Sequence, residues 1–156
     1  MDYCKRHEEC VLFLEQSFSE GHAQKLREGG FKVECFGENF KDDDGHPKPA
    51  VLDPEIIRYC HAKKLLLITT DKNIRATHVN EIKKTDMAII ATQSAKGSMD
   101  VWVDALIKAK PQILRKHKRH PRPWCGSISR KGELQFVTTI TQSMGTRRHR
   151  PKEQGI

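Results

Sequence analysis

The segment Leu65-Leu66-Leu67-Ile68-Thr69-Thr70-Asp71 constrains the fold more than any other. It is an unbroken aliphatic run that closes on two threonines and an acid. A strand of a parallel sheet reads this way, because helices cover both faces and no position has to be polar. The acid then falls at the carboxyl end of the strand. A shorter run, Val11 to Leu14, closes on Glu15 in the same manner. Between them, Asp53-Pro54-Glu55 is a helix start, a capping acid followed by proline at the first helical position. Open parallel sheets bind ligands outside the carboxyl ends of their strands. Acids delivered to that rim offer oxygen ligands to a hard cation such as Mg²⁺, which commonly works on phosphate groups.

The rest of the chain fits around these points. Ser19 to Gly30 predicts a helix capped by Ser19 and ended by Gly29-Gly30. Phe31 to Phe36 alternates and predicts a second strand, and 37–50 predicts a polar loop. Ile56, Ile57 and Cys60 give the Asp53 helix its core face. Residues 65–70 are the third strand, 73–84 a weaker helix and 87–92 a fourth strand. This alternation predicts a three-layer α/β/α sandwich with a parallel sheet of about four strands. Residues 94–98 are a small-residue linker, and 98–117 have helical spacing with a break at Pro111. Trp124–Ser129 and Leu134–Ile140 flank Arg130-Lys131-Gly132-Glu133 and predict a β-hairpin. The expected organisation is an N-terminal segment 1–9, a core 10–95, a C-terminal helix and β-hairpin extension 98–141, and a basic, disordered tail 142–156.

At 156 residues the chain is long enough to bury a core without disulfides. Its five cysteines include no Cys-x-x-Cys and read as free thiols of a reducing cytosol. Cys4, His7 and Cys10 lack a fourth ligand for a metal. Met1 is followed by polar residues, and no apolar run approaches the ~18 residues of a membrane span. A cytoplasmic protein is expected. The net charge of +8 is uneven: residues 1–60 carry 13 of the 20 acids, whereas residues 105–156 carry 13 Lys and Arg against Glu133 and Glu153. That asymmetry suits a polyanion held beside an acidic, metal-binding centre, the alternative being a solvated basic tail.

The candidate ligands are Glu15, Asp53 and Asp71, with Glu55 beside them. Asp53 and Asp71 also make sense as helix or turn caps, and Glu55 as an acid placed on a helix dipole. Glu15 has no such use, since Ser19 caps the following helix. Asp86 precedes the fourth strand and belongs on the opposite rim. Asp42 to Asp44 read as a solvated loop. On the basic side, Lys72, Arg115, Lys116, Lys118, Arg119 and Arg122 are the candidate RNA phosphate contacts. Trp102 falls on an apolar helical face and reads as core. Trp124 reads as either core or a platform for a base.

These residues together resemble the PIN-like ribonuclease superfamily, and more narrowly its short VapC-type, toxin-related branch. The likeness rests on Val11-Leu-Phe-Leu-Glu15-Gln16-Ser17-Phe18, on Phe31 to Phe36 after Gly-Gly, and on Asp53-Pro-Glu55-Ile-Ile followed by Leu65 to Lys72. It also rests on His120-Pro-Arg-Pro-Trp-Cys-Gly126 followed by Lys131-Gly132-Glu133-Leu134. It spans roughly residues 10–140. The resemblance implies an endoribonuclease dependent on Mg²⁺ or Mn²⁺, with Glu15, Asp53 and Asp71 as catalytic acids. It also implies the toxin role of a toxin–antitoxin pair. RNA is the expected substrate; an antitoxin and a second copy of the chain are the protein partners considered. Glu15 stands where the family usually has Asp. That departure keeps open a second reading, a PIN-like module that binds RNA or protein without chemistry. A third class, another phosphate enzyme on a doubly wound sheet, lacks a phosphate-cradling glycine loop.

Overall fold

A computed structural model describes residues 10–41, 43–45, 53–93 and 98–140. Six strands form one sheet: β1 (Val11–Leu14), β2 (Lys32–Cys35), β3 (Leu66–Thr69), β4 (Ala88–Thr92), β5 (Trp124–Ile128) and β6 (Leu134–Thr139). Their order is β2-β1-β3-β4-β5-β6. All neighbours are parallel except β5 and β6. The sheet is therefore larger than the four strands expected. Residues 124–139 do form the expected hairpin, but β5 also pairs in parallel with β4, Ala88 opposite Trp124 and Thr92 opposite Ile128. The hairpin continues the main sheet.

The helices are α1 (Glu20–Glu28), α2 (Phe36–Asn39), α3 (Asp53–Lys63), α4 (Ile74–Thr77), α5 (Val79–Ile82), α6 (Met99–Lys108) and α7 (Lys110–Arg119). Ser19 caps α1 by accepting from the His22 N–H at 3.2 Å, while His22 Nδ1 accepts the Ser19 N–H at 3.0 Å. This is a capping box with histidine in the usual Glu position. Three expectations change in detail. Phe36–Asn39 is one helical turn inside the expected polar loop. The weak helix 73–84 splits at His78 into α4 and α5. The break in 98–117 falls at Ala109, which places Pro111 in the first turn of α7, where its missing N–H costs nothing.

The alternating faces of the strands feed two cores. Leu12, Leu14, Leu66, Ile68, Ala88, Ile90 and Trp124 pack with Ala23 and Leu26 of α1, Trp102, Val103 and Leu106 of α6, and Ile113 of α7. Phe13, Leu67, Ile89 and Cys125 face the other way, toward Phe36, Ile56, Ile57, Cys60, Ile74 and Ile82. Three layers follow, as the continuous apolar strands require. Cys10, Cys35, Cys60 and Cys125 are buried free thiols. Cys4 and His7 lie outside the described residues. No described helix is long and apolar enough to cross a membrane.

Candidate functional site

In the strand order, the chain steps from β1 to β2 on one side and resumes with β3 on the other. The crevice at the carboxyl ends of β1 and β3 is thus the topological switch point, where open α/β sheets bind ligands. Glu15 leaves β1 there, and Thr70 and Asp71 leave β3. Glu15, Gln16, Ser17, Ile56, Leu67, Thr69, Asp71 and Ile74 line one cavity of about 170 Å³. Two of the acids singled out in the sequence therefore share a cavity.

Their burial and hydrogen bonding differ. Glu15 is buried, and its carboxylate accepts four hydrogen bonds. Oε1 takes the Ser17 N–H at 2.5 Å. Oε2 takes the Thr70 N–H and hydroxyl, both at 3.0 Å, and the Thr69 hydroxyl at 3.3 Å. An ionised carboxylate has about four lone-pair sites. Glu15 therefore binds the end of β3 to the end of β1, mainly through Oε2, while Oε1 keeps a lone pair open. Ser17, Thr69 and Thr70 are hydrogen-bonding neighbours of Glu15 that the search for acids passes over. Their only signal in the sequence is the Thr-Thr pair ahead of Asp71.

Asp71 is exposed. Its Oδ1 accepts the Asn73 N–H at 2.9 Å, and its carbonyl accepts the Ile74 N–H at 3.2 Å, so it closes the turn into α4. Its other oxygen faces solvent-accessible space with no hydrogen-bond partner among the described residues. Asp53 begins α3, and its side chain lies outside the described residues. Glu55 is exposed in the same first turn, whose Ile56 walls the crevice. Among the described residues no group of three or more His, Cys, Asp or Glu is arranged to hold a metal. Asp71 and the exposed Glu55 supply carboxylates, and Mg²⁺ needs only one or two of these because it keeps several waters.

The expected basic groove does not assemble beside the acids. Lys72 follows Asp71, but Arg115, Lys116, Lys118 and Arg119 lie in the second half of α7. That helix carries the chain back toward the amino end of β5, four residues beyond its last turn. Arg122 donates to the His117 carbonyl and acts electrostatically on the Cys10 thiol, just before β1. The end of α7 and Arg122 therefore lie toward the amino-terminal rim, opposite Glu15 and Asp71. Trp124 is fully buried in the core, which removes it as a platform for a base, and Trp102 is buried as expected. Asp86 pairs with Lys64 at 3.8 Å, also at the amino rim.

A second cavity, of about 210 Å³, opens over β4 and β5. It is lined by Ile89 and Ala91 of β4, Cys125, Gly126 and Ser127 of β5, Thr138 of β6, and Lys72, Ile74 and Arg75. Burial pushes the Cys125 thiol up to about 12, with Arg75 pulling the other way, so the sulfur is a neutral, unreactive part of the floor. Periodicity alone did not single out Arg75, Ser127 or Thr138. No family model, curated protein or solved structure matches the chain.

Proposed function

We propose that the protein is a cytoplasmic, PIN-like endoribonuclease that uses Mg²⁺ or Mn²⁺ at the switch-point crevice and serves as the toxin of a toxin–antitoxin pair. The observation that carries this reading is the convergence of Glu15 and Asp71 on one cavity at the carboxyl ends of β1 and β3. Asp71, Asp53 and Glu55 would hold the cation, and Glu15 keeps the two strand ends in register beneath it. A bound divalent cation would neutralise the scissile phosphate and make a water nucleophilic at neutral pH. The chain itself holds Asp71 through the Asn73 N–H on one oxygen, which leaves the other oxygen to a cation.

A second reading is a module that binds RNA without cutting it. The observation favouring it is that the Glu15 carboxylate already accepts four hydrogen bonds from the chain, three of them on one oxygen. One assay separates the two. A labelled RNA is incubated with Mn²⁺ or Mg²⁺, with and without EDTA, using wild type and Asp71→Asn. Cleavage that EDTA stops, and that falls on the order of 10²-fold in the variant, supports the nuclease. Equal cleavage by the variant overturns the site. Salt-sensitive binding with no cleavage by either protein favours the module.

A further inference from the structure

We propose that the cavity floored by β4 and β5 is a nucleotide pocket. It would take one unpaired base of the RNA whose scissile phosphate lies in the Glu15–Asp71 crevice, with Lys72 and Arg75 gripping the adjoining phosphate. The proposal deepens the ribonuclease reading and rests on it for the position of the scissile phosphate. Four observations support it.

The first is continuity. Ile74 lines both cavities, so the acid crevice and the second cavity meet at one side chain. A chain of nucleotides leaving Asp71 passes Lys72 and Arg75 before reaching the β4–β5 floor. The second is size. At about 210 Å³ the cavity falls below the roughly 300–1,000 Å³ of sites for drug-sized ligands. One planar ring system fits that space; a folded peptide segment or a duplex does not.

The third is chemistry. Ile89, Ala91, Cys125 and Gly126 offer an uncharged floor. Ser127 and Thr138 place hydroxyls at its side, and the two cations stand on the crevice side only. The Ser127 hydroxyl donates to the Gln135 carbonyl at 3.3 Å, which leaves its lone pairs as acceptors. An apolar face, a hydrogen-bonding edge and an anion at one end together describe a nucleotide. Sequence-specific proteins read RNA in this way, from bases splayed out of single strands, because the edges of a duplex are out of reach. The fourth is supply. Lys72 and Arg75 line the cavity itself, whereas the basic end of α7 leads to the opposite rim. Neither has a carboxylate partner among the described residues.

The test is titration of the full chain in EDTA with AMP, GMP, CMP and UMP in turn, and with inorganic phosphate, followed by NMR or calorimetry. At least one nucleotide should bind saturably and about tenfold or more tightly than phosphate. Arg75→Ala should weaken that nucleotide about tenfold, and Ser127→Phe, which fills the floor, should abolish binding. Nucleotides that bind no better than phosphate overturn the proposal, because the base is then not being held. Unchanged binding by a folded Ser127→Phe overturns it as well. If that variant fails to fold, as judged by circular dichroism, the surface change Arg75→Ala decides: unchanged affinity sinks the pocket. Because the titration needs no metal and no cleavage, its failure leaves the ribonuclease reading standing. Conversely, nucleotide binding by a chain that never cuts RNA overturns the nuclease and keeps the pocket.

Discussion

One oxygen of Glu15, at the end of β1, accepts both the N–H and the hydroxyl of Thr70, at the end of β3, each at 3.0 Å. Two adjacent strands are thereby fixed at the point where the sheet changes direction. Glu15→Gln keeps the size but sets an amide N–H₂ against donors. It should cost about 1–3 kcal/mol, because a buried donor is left unmet. For a chain of this length, that lowers the melting temperature by roughly 2–4 °C per kcal/mol. Glu15→Asp, the residue usual in the resembled family, is shorter by one carbon–carbon bond of about 1.5 Å and should also destabilise the fold. Thermal unfolding of the three proteins checks this. Equal melting temperatures would mean that the hydrogen bonds from Thr69 and Thr70 contribute nothing.

The basic half of α7 invites a role in RNA binding, but its position limits that role. Replacing Arg115, Lys116, Lys118 and Arg119 together by Gln should leave cleavage of a short oligonucleotide nearly unchanged, because the acids lie on the other rim. It should weaken binding of long RNA and flatten the salt dependence. Each phosphate that is no longer neutralised reduces the slope by about 0.7 for a single strand. The comparison is kcat/KM on a short substrate against log-log salt plots on a long one. A large drop on the short substrate would bring α7 back to the active crevice.

Much of the architecture was legible because the strongest signals were local. Val11–Leu14, Leu66–Thr69 and Ala88–Thr92 are apolar on both faces, and only a parallel sheet under helices accepts such strands. Ser19 and Gly30 announced α1 because caps act within one turn; Gly30 has φ of 101°. The pairing of β5 with β4 was not legible. It depends on a crossover of some thirty residues, and a hairpin and a sheet edge have the same alternation. The acids of the crevice were found because hydrophobic runs pointed to them. The commitment of Glu15 to Thr70 was hidden, since a contact across more than fifty residues leaves no periodic trace. The rim that the basic end of α7 reaches was not legible, because sequence adjacency does not say where a helix end lies.

Arg27 ties α1 to the edge of the sheet. Its guanidinium donates to the Val33 carbonyl at 2.7 and 3.2 Å and to Glu38 at 2.8 and 3.3 Å. The hydrogen bond to Arg27 holds the Glu38 carboxyl below its usual range. A depressed acid contributes stability above its unfolded value and loses it as pH falls through the folded one. Both side chains are about one third exposed, so solvent screens much of the pair. Arg27→Ala should cost about 1–2 kcal/mol at pH 7, mostly through Val33, and the difference from wild type should narrow toward pH 3. Urea unfolding of both proteins at the two pH values measures it. A difference that widens in acid would contradict the pairing.

His120 gives the clearest signature near neutral pH. Burial, and then the charge of Lys116, push its pKa below the ordinary histidine value, and its Nε2 lies 2.9 Å from the Thr139 hydroxyl. The folded chain therefore favours the neutral ring, which shares a hydrogen bond with Thr139. The sign follows from proton counts: between the folded and unfolded pKa values the unfolded chain binds more protons, so stability rises with pH. The contribution is fully present above about pH 6.5, the unfolded histidine value, and is lost as pH falls through the folded value. His120→Gln keeps a hydrogen-bonding group for Thr139 but cannot titrate. The gap between its melting temperature and that of wild type should change between pH 8 and pH 5, with wild type losing more. A gap that stays constant over that interval would show that His120 is not held neutral by its place between α7 and β6.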